Sequence, residues 1–189
     1  MMQADAAGRL DPKAYSVAST GRRFSAWFID WMVIILIASV AAVILGAWHA
    51  TIRTMVNDDG STWTTSTYYL DTVWSYSLFA VVSAVYAIPM WRLRGAMLGQ
   101  RLLGLRVFSE TGPEPLTWPR AAIRWLALYG WAFVGIGSAG NGVLDFGVEV
   151  WLLVLLVTEV RNVRNQGIHD RLSNSLVVGP RRGMPSAWA

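Results

Sequence analysis

Phe24 to Trp48 reads FSAWFIDWMVIILIASVAAVILGAW, a run whose only ionisable side chain is Asp30. A helix of about 20 apolar residues crosses a hydrocarbon core of roughly 30 Å, so this run is long enough to span a bilayer. A cleavable signal peptide has a shorter apolar core followed by a small-residue cleavage site. Trp48, His49 and Arg53 follow this one, which predicts a retained helix over 24–48. The whole composition agrees: 54% of the 189 residues are hydrophobic, 15% are charged, 11 are tryptophan, and the mean hydropathy is +0.38. These values exclude a disordered or fibrous chain and make lipid the expected solvent. With no cysteine there is no disulfide framework, no thiolate nucleophile and no sulfur metal site.

Outward from that helix, Trp74 to Trp91 is a second charge-free run, bracketed by tryptophans as membrane interfaces favour, with Pro89 in its last turn. The polar, threonine-rich stretch from His49 to Val73 contains the turn signal Asn57-Asp58-Asp59-Gly60 and is expected to be an exposed loop. Two further helices are expected over 119–137 and 143–160. The first has Thr117 placed as its cap and Pro119 in its first turn, and the glycine-rich turn from Ser138 to Gly142 joins the pair as an antiparallel hairpin. They carry Arg120, Arg124, Asp145, Glu149 and Glu159, so an interfacial placement that leaves only two full spans stays open. The expected fold is an all-α transmembrane four-helix bundle over residues 21–179, flanked by flexible tails at 1–20 and 180–189.

Of the 16 lysines and arginines, all but Arg53 lie before the first helix, around the segment between the second and third, or after the fourth. The positive-inside rule then puts both termini and the Arg92–Arg120 segment in the cytoplasm, and the 49–73 loop and 138–142 turn outside. The net charge of +4 is accounted for by this topology and by anionic headgroups, with no basic, aromatic-interleaved stripe to suggest nucleic acid. The expected partners are the bilayer and either another membrane protein or further copies of the chain.

Asp30 lies about six residues, hence roughly 9 Å, inside the first helix. A central aspartate costs about 2.5 to 3.5 kcal/mol in lipid, so it must face the bundle and find a partner. Arg124, about five residues into the third helix from the same side, lies at matching depth and is the expected partner of Asp30. Such a pair more often fixes helix register than moves a proton or an ion. Asp145 and Glu149, one turn apart, form a candidate outer carboxylate pair, expected near the surface. Gly135 to Gly140 matches G-x-G-x-x-G but has no preceding strand, so it is read as a turn and not as a dinucleotide site. Ala38, Ala42 and Gly46 place small residues along one line of helix one, a candidate packing face. His169-Asp170 lacks a second histidine on its side of the membrane, and no G-x-S-x-G elbow occurs. No enzymatic activity, metal or cofactor is expected.

Three blocks in order now stand out: Arg23-Phe-Ser-Ala-Trp-Phe-Ile-Asp30, Met97-Leu-Gly-Gln-Arg-Leu-Leu-Gly-Leu-Arg-Val107, and Ile168-His-Asp-Arg-Leu172 before a Val-Val end. Together they make the chain resemble the RDD family of bacterial membrane proteins over about Gly21 to Val178. The resemblance implies roles for Arg23, Asp30 and Asp170 as the family's named arginine and two aspartates, and for Arg124 as an arginine common in its third helical segment. It also implies a bacterial inner-membrane location and transport of an unidentified ligand, including cation/proton exchange, as proposed for the family. Two positions depart from the pattern. Ser173-Asn174-Ser175 replaces a small residue, glycine and threonine, with Asn174 able to take a left-handed conformation, and Gln100 stands where a lysine is common.

The middle block is expected to form a short amphipathic helix lying flat on the cytoplasmic surface, with Leu98, Leu102 and Leu105 on one side and Arg94, Arg101 and Arg106 reaching headgroups. Arg106–Phe108 and Leu176–Val178 are expected to pair as a two-stranded cytoplasmic cap that holds Asp170 near Arg23. Two functions compete. One is an accessory or regulatory subunit of a membrane complex. The other is a small transporter or exchanger working through the Arg23, Asp30, Arg124 and Asp170 network.

Overall fold

The computed structural model describes residues 15–112, 114–138, 142–162 and 165–180. Seven helices and two small antiparallel sheets are formed among them. Helix α1, Thr20–Ile44, buries Arg23, Ala26, Asp30, Ile34 and Ala42. The first four of these are spaced three or four apart and share one face, leaving Phe28, Leu36 and Val40 exposed on the others. Helix α2, Thr72–Pro89, is capped by Asp71, whose side chain accepts from the amides of Val73 and Trp74 at 2.9 and 3.2 Å. Beyond Pro89, which has no amide hydrogen to donate, Met90–Arg94 continues as a π turn ending at Gly95 with φ +65°. Thr20–Ile44 and Val73–Arg94 are the two helices among the described residues that are long and apolar enough to cross a membrane.

The third expected helix is two: α4, Trp118–Tyr129, and α5, Trp131–Ser138, meet at Gly130. A β-carbon there would lie 2.2 Å from the Leu126 carbonyl oxygen, so only glycine permits this approach. Helix α6, Gly142–Arg161, follows; the 139–141 part of the expected connecting turn lies outside the described residues.

The expected outer loop is also different. Its residues form a β-hairpin, β2 (Trp48–Val56) with β3 (Thr62–Leu70), paired from Trp48↔Leu70 to Val56↔Thr62. The turn signal lies at its tip, where Gly60 adopts φ +79° and Asp59 accepts from the Ser61 amide at 2.8 Å.

At the opposite end of α1 and α2, the cap is three-stranded and ordered β1-β5-β4. The expected pair is present as β4 (Arg106–Ser109) with β5 (Ser175–Pro180), in the register Arg106↔Val178 and Phe108↔Leu176. Strand β1, Tyr15–Val17, adds to the other edge of β5, within the stretch expected as tail, where α1 also starts at Thr20; residues 1–14 and 181–189 of the expected tails lie outside the described residues.

The short helix α3, Leu98–Leu102, lies against α1 by the face opposite its leucines, and only Leu105 departs from the expected leucine side. It buries Gly99 and Gln100, while Leu98 and Leu102 are exposed and Leu105, past the helix, is fully buried. The reason is steric: a β-carbon on Gly99 would lie 2.4 Å from the Ala26 carbonyl oxygen, so the glycine face is the one that can lie against α1. The small-residue line on α1 is used within the chain, where Ala42 is buried with Ala47 and Leu78 and packs beside Ala38.

Candidate functional site

The cap holds a buried cluster of charges centred on Asp170. Helix α7, Ile168–Leu172, begins at Gly167, whose amide donates to Asp170 Oδ2 at 3.2 Å. The same oxygen accepts from Arg23 Nη2, while Asp170 Oδ1 accepts from Arg124 Nη1. Arg23 reaches down from the first turn of α1 and Arg124 from the middle of α4. Each guanidinium has further partners. Arg23 Nε lies 3.1 Å from Glu159 on α6, and Arg23 Nη1 donates to the Asn165 carbonyl. Arg124 Nη1 also donates to Ser175 Oγ at 2.5 Å, and its guanidinium lies 5.2 Å above the Trp91 ring. Asp170 and Asp30 are wholly buried, and Arg23 and Arg124 nearly so.

Burial alone would raise the Asp170 carboxyl; the two guanidiniums outweigh it and hold the group well below the usual carboxylate range. Burial lowers His169 to about 3, so its ring is neutral in the folded protein. Its Nε2 lies 3.5 Å from Arg23 Nη2 and also 3.5 Å from Asp170 Oδ1.

Asp30 belongs to a separate arrangement. Its Oδ1 accepts from the Gly99 amide at 2.7 Å and from Tyr86 Oη at 2.8 Å, and the Leu98 amide in turn donates to Tyr86 Oη at 2.9 Å. Its Oδ2 is buried without a partner. Thus Asp30 fastens α3 to α1 and α2, and the carboxylate expected to take Arg124 is replaced by Asp170. Four of the named residues therefore divide into a triad, Arg23–Asp170–Arg124, and Asp30 beside it. Of the expected outer pair, Glu149 is exposed and the Asp145 side chain lies outside the described residues. Among the described residues no cluster of three or more histidine or acidic side chains suited to a metal is formed.

Sequence reasoning missed the serines. Ser173 Oγ donates to the His169 carbonyl at 2.7 Å and lies 2.8 Å from Ser175 Oγ, so the departure at 173–175 supplies hydroxyls to the cluster. Asn174 between them has φ +46°, the left-handed geometry expected of it. Gln100 does not reach headgroups. It is buried, and its Oε1 accepts from Trp91 Nε1 at 3.1 Å and the Met97 amide at 3.0 Å.

Two helices long and apolar enough to cross a membrane thus carry, at one end, a sheet-capped arginine–aspartate cluster whose buried charges come from distant parts of the chain. The RDD family model matches residues 17–174, and the chain belongs to that family of membrane proteins. No curated protein and no solved structure matches the chain.

Proposed function

We propose that this protein is an accessory or regulatory subunit of a larger membrane complex, without catalysis of its own. The observation that carries this reading is the β2–β3 hairpin. Every residue of β2 except Thr51 is exposed, and Ile52 and Val56 on one strand and Trp63 and Tyr68 on the other present apolar surface. An isolated two-stranded hairpin is marginal in water and needs a surface to cover it. A second membrane protein supplies such a surface. The charge cluster supports the same reading, because Asp170 is engaged by its own chain's arginines and fixes α1, α4 and α7 together.

In this reading α1, α2, the α4–α5 pair and α6 make four passes of a bacterial inner membrane, with the cap cytoplasmic and the hairpin outside. The experiment is purification of the full chain from its native membranes in mild detergent, with peptide identification of whatever travels at fixed ratio. One stoichiometric partner is expected, and it should be lost when residues 50–68 are replaced by a short turn. A lone homo-oligomer that keeps its size after that replacement overturns the reading.

The unpartnered Asp30 Oδ2 favours a second reading, cation/proton exchange through Asp30. It requires ion-dependent flux by the purified chain in proteoliposomes, abolished by Asp30→Asn without loss of insertion.

A further inference from the structure

A cavity of about 360 Å³ lies between the first two turns of α1 and the C-terminal half of α6, above the cap. Its volume is that of a small-molecule site. Phe24 and Trp27 of α1 and Leu153 and Leu156 of α6 form its walls. Phe24, Leu153 and Leu156 are themselves partly exposed, so the cavity opens sideways on the apolar surface. Its polar lining comprises Thr20, Arg23, Arg124, Glu159, Gln100 and His169.

The charges in and under this lining balance. Arg23 and Arg124 face Asp170 and Glu159, and His169 is held among them. Arg23 is fully engaged, with Glu159 on Nε, the Asn165 carbonyl on Nη1 and Asp170 on Nη2. Arg124 is not: it is only 2% exposed, it lines the cavity, and its Nε has no hydrogen-bond partner. A buried donor left without an acceptor is costly, and a bound acceptor recovers that cost. Gln100 lines the same cavity, and with Oε1 occupied by Trp91 and Met97 its amide NH₂ is the end that can donate.

From this we infer that the cavity is a binding site for an uncharged membrane amphiphile, a molecule with an ester or ketone carbonyl on an apolar chain. The carbonyl accepts from Arg124 Nε and the Gln100 amide, and the chain leaves between Phe24 and Leu156 into the lipid. An anionic head is disfavoured by Glu159, and a cationic one by the two guanidiniums. The site is independent of the hairpin on which the accessory reading rests, so either can fail alone.

The test uses the full chain in nanodiscs and a monoacylglycerol with a diazirine in its acyl chain, beside the fatty acid of the same tail. Saturable labelling by the monoacylglycerol is expected on the peptides containing Trp27 and Leu153, competed by unlabelled monoacylglycerol. It should fall at least tenfold in Leu153→Trp and Leu156→Trp, which fill the opening, and be unchanged in Leu36→Trp, an exposed position on α1 outside the cavity. Each variant is compared only where it elutes as the parent does. Labelling that does not saturate, that ignores both filling variants, or that favours the fatty acid overturns the proposal.

Discussion

Asp170 accepts from an amide in its own first turn and from two arginines that lie 147 and 46 positions away in the chain. Removing one member of such a buried set leaves the others charged and alone, which is why its energetic weight exceeds that of a surface pair. The neighbouring His169 gives the cluster a pH signature. Its folded value of about 3 lies below the ordinary 6.5, so the unfolded chain binds the proton more readily than the folded one. Stability from this residue is complete above pH 6.5 and is lost as pH falls from there towards 3. At pH 5 the loss should be about 2 kcal/mol. Thermal unfolding in detergent should therefore show a Tm that drops between pH 8 and pH 5, and His169→Gln should flatten the drop. The depressed Asp170 acts in the same direction at lower pH, below the usual carboxylate range. Arg23, Asp30 and Asp170 could be picked out in sequence by type and position, and the Arg23–Asp170 contact was expected from the pairing of the cap strands. The Asp30–Arg124 pairing was not a safe inference, because equal depth in two helices says nothing of a backbone amide, that of Gly99, arriving between them.

At the scale of elements, α3 depends on one absent side chain. Gly99→Ala would set a β-carbon 2.4 Å from the Ala26 carbonyl oxygen and 3.0 Å from Asp30 Oδ2, forcing α3 off α1. A loss of about 1–3 kcal/mol is expected, read as a lower Tm. Gly21→Ala is the control within the first turns of α1: no atom lies within 4 Å of its added β-carbon, and the better helix former should stabilise by up to about 1 kcal/mol. Equal effects at the two glycines would contradict the packing of α3 on α1. Leucine spacing marked Leu98 and Leu102, which do lie on the exposed side of α3, but it put the buried Leu105 with them and left the Gly99 face unread, because spacing describes a helix and not its neighbour. Here the neighbour is α1, and contact with its backbone favours glycine over leucine. The hairpin was missed for a different reason. Threonine, tyrosine and tryptophan favour strands, yet the stretch lacks a buried face, so no apolar alternation marked it.

For the whole molecule, the sheet cap and the β2–β3 hairpin terminate opposite ends of α1 and α2. Because the chain has no cysteine, single substitutions report which side each end faces. Asp58→Cys at the hairpin tip should react with an impermeant maleimide in intact cells, and Arg171→Cys on the cap should react only after permeabilisation. Equal reaction of both in intact cells would contradict the orientation taken from the arginines. The two long apolar helices, the cap pairing and the family were determined by the sequence itself, because apolar length, β-branched runs and motif order are properties of contiguous residues. The division of the charges into a triad and a separate Asp30, the packing of the Gly99 face of α3 on α1 and the cavity lined by Arg124 were decided only by the tertiary structure. Each depends on how closely distant backbones approach, which no local pattern records.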